Sequence, residues 1–397
     1  MDLWAEHPED AVWACLHCPK TLPLYDHAEE RTWRHLDSCQ FQTHLHVRIP
    51  QVACGEHGVV QVTVPWAEPR SRFTLLFERL AIDVLGPCTV TGATKILRLS
   101  WDEASGIMER AVTRRRQRKA PKVVLRIGVN EKAVAKGHHY LTLVCDLERG
   151  TVEHIAEAHT QESLAGYYQG LSEEQLAGIE AVAMDMWGPY IQATRAQVPE
   201  AAEKIVFDRF HVMGYLDKAV DTVREQEHRE LMASGDETRK GRNYLRLYSQ
   251  ENVPEQRCDE FAALRHKALK VGRTWAIKES LRHLWHYVYP ASGWKFWKRW
   301  YFSATHSRLA PIRKAAATVR RHINKILTYY QHPVTNAMSE GLNSQIQKIK
   351  SMACGFRNIE NFKTAIYSRC GGLNLYPCCT WERHIYWFKS TRKVARH

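Results

Sequence analysis

Features typical of membrane and secreted proteins are missing from this chain of 397 residues. It has no run of about 18 apolar residues, which argues against a membrane span. The amino terminus is acidic and lacks an apolar stretch, so we expect no secretory signal. We find no low-complexity tract and no repeat of fixed period, which argues against fibrous and solenoid proteins. We therefore expect a globular protein of the cytoplasm.

Negative charge is also in short supply. The chain has 56 Lys and Arg residues against 43 Asp and Glu residues, a net charge of +13 with neutral histidines. This surplus makes a polyanion, such as DNA, RNA or an anionic membrane, the first partner to consider. Apolar residues make up 44% of the chain and aromatic residues 10%, which is enough for a sizeable core. The length suggests about two to three domains.

The cysteines point to a metal site. Eleven cysteines, an odd number in a long chain, argue against a disulfide framework and for a reducing compartment. Two motifs can supply four ligands to one tetrahedral Zn2+ ion: Cys15-Leu-His-Cys18 and Cys54-Gly-Glu-His57. With strands predicted over 45–49 and 60–64, the amino-terminal segment fits a zinc ribbon with a structural ion. His35 and Cys39 form a competing pair, and ordinary core residues are the alternative without a metal.

The next segment has the pattern of a helix-turn-helix domain. Apolar spacing predicts a first helix over 73–85, stopped by Gly-Pro, and a second over 91–97. Ser100 and Glu103 form a capping box that begins a third helix. Its predicted apolar face consists of Trp101, Ala104, Ile107, Met108 and Ala111. We expect its polar face to enter the DNA major groove.

A basic run follows this third helix. Five of its side chains are predicted to contact DNA phosphates, namely Arg114, Arg115, Arg116, Arg118 and Lys119. A small helical linker with a solvated charged end is the competing interpretation.

Three candidate positions for chemistry follow predicted strands or lie on a late helix. Apolar runs predict strands over 123–129, 140–145 and 179–184. Asn130 and Glu131 follow the first run, Asp185 follows the third, and Glu340 lies on the polar face of a helix near 335–350. Carboxylates at such ends suit two-metal phosphoryl transfer, because Mg2+ prefers oxygen ligands. An RNase H-like sheet would gather them, although solvated surface carboxylates are common.

Together these features resemble the ISL-three family of bacterial insertion-sequence transposases, of the DDE class. Beyond the zinc knuckles and the helical segment, the resemblance rests on four stretches: Ile127-Gly-Val-Asn-Glu-Lys132, Ala183-Met-Asp-Met-Trp-Gly-Pro-Tyr190, Phe207-Asp-Arg-Phe-His-Val212 and Asn336-Ala-Met-Ser-Glu-Gly-Leu-Asn343. It covers nearly the whole chain. It implies an α/β fold with an RNase H-like core, a mixed sheet flanked by helices, that an all-α insertion interrupts.

The pattern along the chain then divides it into six segments. They are a zinc ribbon (1–67), a helix-turn-helix domain with a basic linker (68–122), the first part of the core (123–215), a helical insertion (216–329), the last part of the core (330–376) and a basic tail (377–397). The resemblance implies a homodimer, associated with the nucleoid, that binds terminal inverted repeats and target DNA. It also implies cleavage and strand transfer with Mg2+, or with Mn2+ in its place.

The resemblance also assigns roles to individual residues. The first two acids of the family map to Asn130 and Asp185, and its glutamate maps to Glu340. Asp208 and His211 match an accessory motif in which the histidine sits near the scissile phosphate and the aspartate orients it. The competing interpretation of that pair is a strand-end cap and a core histidine.

Asn130 departs from the family, which has aspartate there. An amide offers a neutral oxygen where the metal ions need an anionic bridge, so we expect catalysis to fall by orders of magnitude. Glu131 is adjacent but should point to the opposite face of the strand. A degenerate natural copy or a deliberate change that traps an uncleaved complex would explain the asparagine. A transposase-derived DNA-binding protein or repressor is therefore the alternative function, and a junction-resolving nuclease is a third.

In the insertion, Trp294, Trp297 and Trp300 recur every three residues between basic side chains. They predict either a buried stripe or, for a residue such as Trp297, a ring that stacks on an unpaired base.

Overall fold

The computed structural model describes residues 1–8, 10–119, 122–135, 139–233, 270–334 and 337–377. The predicted basic tail and Asn336 lie outside these residues, apart from position 377. The chain divides into two compact units, Met1–Ala120 with Lys348–His397, and Pro121–Gln347. Within the described part, no helix is long and apolar enough to cross a membrane.

The first unit begins with six strands. They are β1 (Asp2–Trp4), β2 (Val12–Ala14), β3 (Thr21–Pro23), β4 (Asp26–Ser38), β5 (Phe41–Cys54) and β6 (Gly58–Gln61). β5 is central, because β1, β4 and β6 all pair with it, while β2 and β3 form a separate hairpin. Trp33, Val47 and Val52 are buried between these strands and form a small core.

Three helices follow, as predicted: α1 (Leu75–Leu85), α2 (Val90–Leu97) and α3 (Trp101–Gln117). The capping box of α3 is present, since the Ser100 side chain accepts from the Glu103 N–H and the Glu103 carboxylate accepts from the Ser100 N–H. The predicted apolar face is buried except at its first position, where Trp101 is 44% exposed. The prediction was wrong there because the first turn of α3 extends beyond the packed core.

The last helix in the described residues also belongs to this unit. This helix, Ile359–Cys370, is followed by an irregular segment to residue 377. The Arg369 guanidinium donates to the Cys88 carbonyl at 2.6 Å, and the Tyr376 hydroxyl donates to the Asp83 carboxylate at 2.5 Å. The segment predicted as the last part of the core, 330–376, is therefore divided between the two units, because its second half packs against the helix-turn-helix.

A buried ion-pair cluster holds α1, α3 and this last segment together. The Glu78 carboxylate, 1% exposed, accepts from Ser71 at 2.9 Å and from Arg110 at 2.8 Å. Arg114, 7% exposed, contacts Glu78 at 3.8 Å and Glu68 at 3.1 Å. Its guanidinium also donates to the Leu375 carbonyl at 3.0 Å. The cluster satisfies charges that would otherwise be costly to bury.

The second unit contains a five-stranded mixed sheet. Its strands are β7 (Arg126–Ala135), β8 (His139–Asp146), β9 (Thr151–Glu157), β10 (Ala181–Met184) and β11 (Ile205–Phe207). Their order is β11-β10-β7-β8-β9. β7, β8 and β9 are antiparallel neighbours, whereas β10 is parallel to both β7 and β11. The first strand of the sheet therefore lies beside its fourth.

Helices make up most of the rest of this unit. They are α4 (Gln161–Gln169), α5 (Glu173–Ala177), α6 (Gly188–Gln197), α7 (Ala201–Lys204), α8 (Arg209–Ala233), α9 (Lys270–Arg282), α10 (Pro290–Thr305), α11 (Ala310–Leu327) and α12 (Ala337–Met352), and Ile359–Cys370 of the first unit is α13. Ile127 and Val182 from the sheet share one core with Leu216 of α8 and Ile312 of α11. The late helices thus pack against the sheet.

The buried cluster predicts a strong effect on stability. We expect Arg114→Met to lower the free energy of unfolding of the first unit by about 3–5 kcal/mol, because it leaves the Glu78 carboxylate buried without one of its two arginines. Urea unfolding of the full chain, followed by circular dichroism, measures this change. Arg118→Met is the matched control, since Arg118 is an exposed arginine at the C-cap of the same helix. Equal stability of the two variants would contradict the assignment.

Candidate functional site

The four predicted zinc ligands converge. The ligand atoms of Cys15, Cys18, Cys54 and His57 all lie within 4.8 Å of one another. The Sγ atoms of Cys18 and Cys54 are 3.8 Å apart, and the His57 Nδ1 is 3.8 Å from the Cys15 Sγ and 3.5 Å from the Cys54 Sγ. A tetrahedral ion with bonds of about 2.3 Å requires ligand separations of about 3.8 Å. These distances fit a structural zinc ion.

Local electrostatics also favour metal binding here. The backbone N–H of Glu56 and the His57 side chain lower the pKa of the Cys54 thiol to about 6. Zinc binds the thiolate, so this position is prepared for it. The competing pair is not part of the cluster: the His35 Nδ1 hydrogen-bonds the Thr74 hydroxyl at 2.9 Å, and Cys39 is exposed in a turn. None of the described cysteines forms a disulfide.

Neighbouring strands bring polar side chains together in the second unit. Asp185 and Asp208 directly follow β10 and β11, whereas Asn130 lies within β7, which continues beyond the predicted strand end to Ala135. Ala183 pairs with Gly128, so continuing the register by two residues brings Asp185 beside Asn130. Met184 pairs with Phe207, so one residue further Asp185 lies beside Asp208, whose N–H donates to the Met184 carbonyl. Successive strand side chains alternate in direction, so residues in register share a face. The amide and both carboxylates therefore lie at one edge of the sheet.

His211 and Glu340 approach this edge from helices. The His211 Nδ1, on the first turn of α8, is 3.9 Å from the Asp185 Oδ1. Glu340 is exposed on the first turn of α12, and the Lys132 ammonium donates to the Asn343 carbonyl of that helix at 3.3 Å. Met338, on the same first turn, is 47% exposed. Its first-turn position extends beyond the buried face.

The pKa values of two carboxyl groups reflect their mutual proximity. Burial raises the pKa of Asp208, and the negative charge of Asp185 adds to the effect. Although Glu340 is exposed as a residue, desolvation of its carboxyl group and the charge of Asp208 raise its pKa, and His211 partly offsets this rise. The negative charges of these carboxylates therefore repel one another, and a cation bound between them would reduce this repulsion.

Asp208 has a structural role as well. Its Oδ1 accepts the Phe210 N–H at 3.2 Å at the start of α8, whereas its Oδ2 is buried without a hydrogen-bond partner. His211 is in ion-pair range of Asp185, and this contact differs from the predicted one with Asp208. A buried carboxylate oxygen without a donor suits a divalent cation. Among the described residues, however, the zinc-ribbon set is the only group of three or more His, Cys, Asp or Glu residues that could hold a metal ion.

Glu131, the residue after Asn130, has its own histidine partner. Its carboxylate is 2.9 Å from the His159 Nδ1. The His159 ring stacks between Tyr140 and Trp187. Sequence reasoning did not single out this group, because its members come from two strands, a loop and a helix start with no shared motif.

The basic run after α3 divides into buried and exposed positions. Arg114 was predicted to contact phosphate, but this was wrong because its guanidinium is buried among Glu68, Glu78 and Leu375. Arg115 is half-buried, and the Arg116 guanidinium lies 4.2 Å from the Tyr367 ring centroid. Arg116, Arg118 and Lys119 remain exposed.

Trp297 was also predicted as a base-stacking candidate, and the structure contradicts this. Its side chain is only 4% exposed and stacks on Trp300, which is equally buried. Of the three regularly spaced tryptophans, only Trp294 has substantial exposure, at 37%. The stripe is therefore part of the helical core, as the competing interpretation held.

Comparisons with known proteins match each part of this arrangement. A model of a DDE-type transposase domain of family ISL3 matches residues 127–366. The helix-turn-helix domain of transposase family ISL3 matches residues 62–112, and the zinc-finger of transposases IS204, IS1001, IS1096 and IS1165 matches residues 11–57. These three domains define a DNA-binding transposase. The chain belongs to transposase family ISL3.

Curated relatives are similar over most of their length. The transposase for insertion sequence element IS1557 of Mycobacterium tuberculosis is 26% identical over 378 residues, covering 88% of this chain and 84% of that protein. The transposase for insertion sequence element IS1001 of Bordetella parapertussis is 26% identical over 363 residues, covering 89% and 88% respectively. The likeness extends across both units.

The zinc site predicts a specific dependence on metal. We expect Cys18→Ser to lose the bound zinc ion and to lower the thermal stability of the first unit, because the free energy of binding a structural ion contributes to folding. Elemental analysis of the purified chain and thermal unfolding measure the two effects. Cys39→Ser is the control, since Cys39 is exposed outside the cluster. Unchanged zinc content in Cys18→Ser would refute the site.

Proposed function

We propose that the second unit is an RNase H-like core that catalyses Mg2+-dependent cleavage and strand transfer at the terminal inverted repeats of an insertion sequence. The observation that carries this proposal is the parallel register of β10 with β7 and β11, which aligns Asn130, Asp185 and Asp208 when it is extended past the last paired residues. The neighbouring first and fourth strands of the sheet support it, as do the late helices that pack on its core as an all-α insertion.

The residues present offer the donor set that Mg2+ requires. Asp185 and Glu340 would hold the ions, with the carbonyl oxygen of Asn130 as a neutral third ligand. The unpartnered Oδ2 of Asp208 is a further oxygen at the same strand ends. Bound Mg2+ would neutralise the charge that develops on the phosphate during in-line displacement. His211, beside Asp185, is positioned to donate a hydrogen bond to a phosphate oxygen.

The asparagine should limit this chemistry. Asn130 is 7% exposed within β7, so water has little room to replace a missing carboxylate. Its amide provides one neutral oxygen where the family has two anionic ones. The chain in this form should bind DNA and cut it slowly.

DNA binding has a separate origin in the first unit. The polar face of α3 would read the major groove, and the exposed Arg116, Arg118 and Lys119 would contact phosphates beside it. This binding should weaken steeply as salt rises, because phosphate contacts release counterions. A homodimer would hold two element ends at once.

A transposase-derived repressor is the second candidate, and Asn130 is the observation that favours it. Such a protein would bind the same ends without cutting them. A junction-resolving nuclease is less well supported, since it has no need of a zinc ribbon and a helix-turn-helix. Competition between branched DNA and linear DNA from the element ends for binding to the protein would distinguish this nuclease from the other two functions.

Restoring the acid tests the proposal directly. We expect Asn130→Asp to raise Mg2+-dependent nicking or joining of DNA from the element's own termini by orders of magnitude, because an anionic ligand is regained. Gel analysis of end-labelled DNA measures the products. The double variant Asn130→Asp with Asp185→Asn is the control and should remain inactive. If Asn130→Asp binds the ends but gains no cleavage, the repressor is favoured over the transposase.

A further inference from the structure

A three-ring aromatic stack lies beside the strand-end acids. The His159 ring is 4.5 Å from the Tyr140 ring at an interplanar angle of 20° and 5.3 Å from the Trp187 ring at 16°. The three rings are therefore nearly parallel, with histidine in the middle. Trp187 forms one end of the stack and is 42% exposed.

Polar contacts fix the stack in place. The Glu131 carboxylate, 2.9 Å from the His159 Nδ1, holds the central ring. The Trp187 indole N–H donates to the His159 backbone carbonyl at 3.1 Å. One face of the Trp187 indole thus packs on the His159 ring, and the indole N–H is hydrogen-bonded. The opposite face of the indole is left open. A ring held in one orientation binds a planar partner with little further loss of side-chain freedom.

The stack is close to the proposed chemistry. Trp187 follows Asp185 by two residues, so their Cα atoms are at most about 7 Å apart. Glu131 likewise follows Asn130 directly. A side chain whose Cα atom is this close to that of Asp185 can reach a base next to a phosphate held there.

We propose that the outer face of Trp187 stacks on an unpaired DNA base next to the scissile phosphodiester. This inference rests on the proposed function, which assigns that phosphodiester to the strand ends. A nucleobase is the occupant that fits, because the open surface is a flat ring in a chain with a charge of +13, and stacking tolerates any base. Paired bases already stack on their neighbours, so the base must be unpaired or flipped.

The other tryptophans of this unit do not offer such a surface. Trp275, Trp285, Trp297 and Trp300 are buried. Trp294, 37% exposed on α10, is not part of the described aromatic stack. It therefore provides a control of similar exposure in the same unit.

A binding experiment tests the stack without any need for cleavage. The full chain is titrated, without added divalent metal, against a fluorescent duplex with a four-nucleotide single-stranded overhang, and against the same duplex with abasic overhang sugars. We expect the overhang with bases to bind about tenfold more tightly, the contribution of one stacked base. Trp187→Ala should abolish this preference, and Trp187→Phe should retain part of it.

Controls separate stacking from folding and from the rest of the function. Trp294→Ala should keep the full preference, and all variants should bind the blunt duplex like the parent chain and show its unfolding curve. An undiminished preference in Trp187→Ala, or no preference in the parent chain, would overturn the proposal. The proposal would also be overturned if Trp187→Ala changed the oligomeric state and kept the base preference. In that case the Trp187 ring would contact a second copy of the chain and not DNA. Cleavage by Asn130→Asp is measured in a separate experiment. The proposed stacking and the proposed catalytic function can therefore fail independently.

Discussion

The parallel pairing of β10 with β7 and β11 is the constraint on which the proposed chemistry depends. Parallel strands end at the same edge of a sheet, and a shared register gives their last side chains a common direction. Asn130, Asp185 and Asp208 are far apart in sequence, yet the register of these strands, extended by one or two residues, brings them side by side. A register slip of one residue in β10 would turn Asp185 to the opposite face.

Local signals allowed much of the fold to be predicted. The capping box at Ser100 and Glu103 depends on residues three apart, and the zinc knuckles depend on equally short spacings. Both are present in the structure. Motifs that each span a few residues predicted the order of zinc ribbon, helix-turn-helix and catalytic domain along the chain. The family comparisons agree with this order.

Burial set by distant partners could not be predicted in the same way. Arg114 belongs to a basic run, but a carbonyl 261 residues further along the chain and two glutamates remove it from solvent. The spacing of Trp294, Trp297 and Trp300 allowed either a buried stripe or a ring that stacks on DNA, and packing with the sheet and helices buries Trp297 and Trp300. Charge and periodicity in the sequence predict a helix, whereas the elements packed against that helix determine which of its side chains are exposed to solvent.

The packing of α13 and the residues after it against the helix-turn-helix affects the order of assembly during translation. The ribosome makes α1–α3 first, but Cys88, Asp83 and Arg114 have partners that emerge only after the whole of the second unit. Until then a nascent chain would expose part of the surface that α13 covers. A chain whose synthesis stops early would therefore have a helix-turn-helix without its contacts to α13 and the residues after it. Full DNA binding would thus depend on completed synthesis.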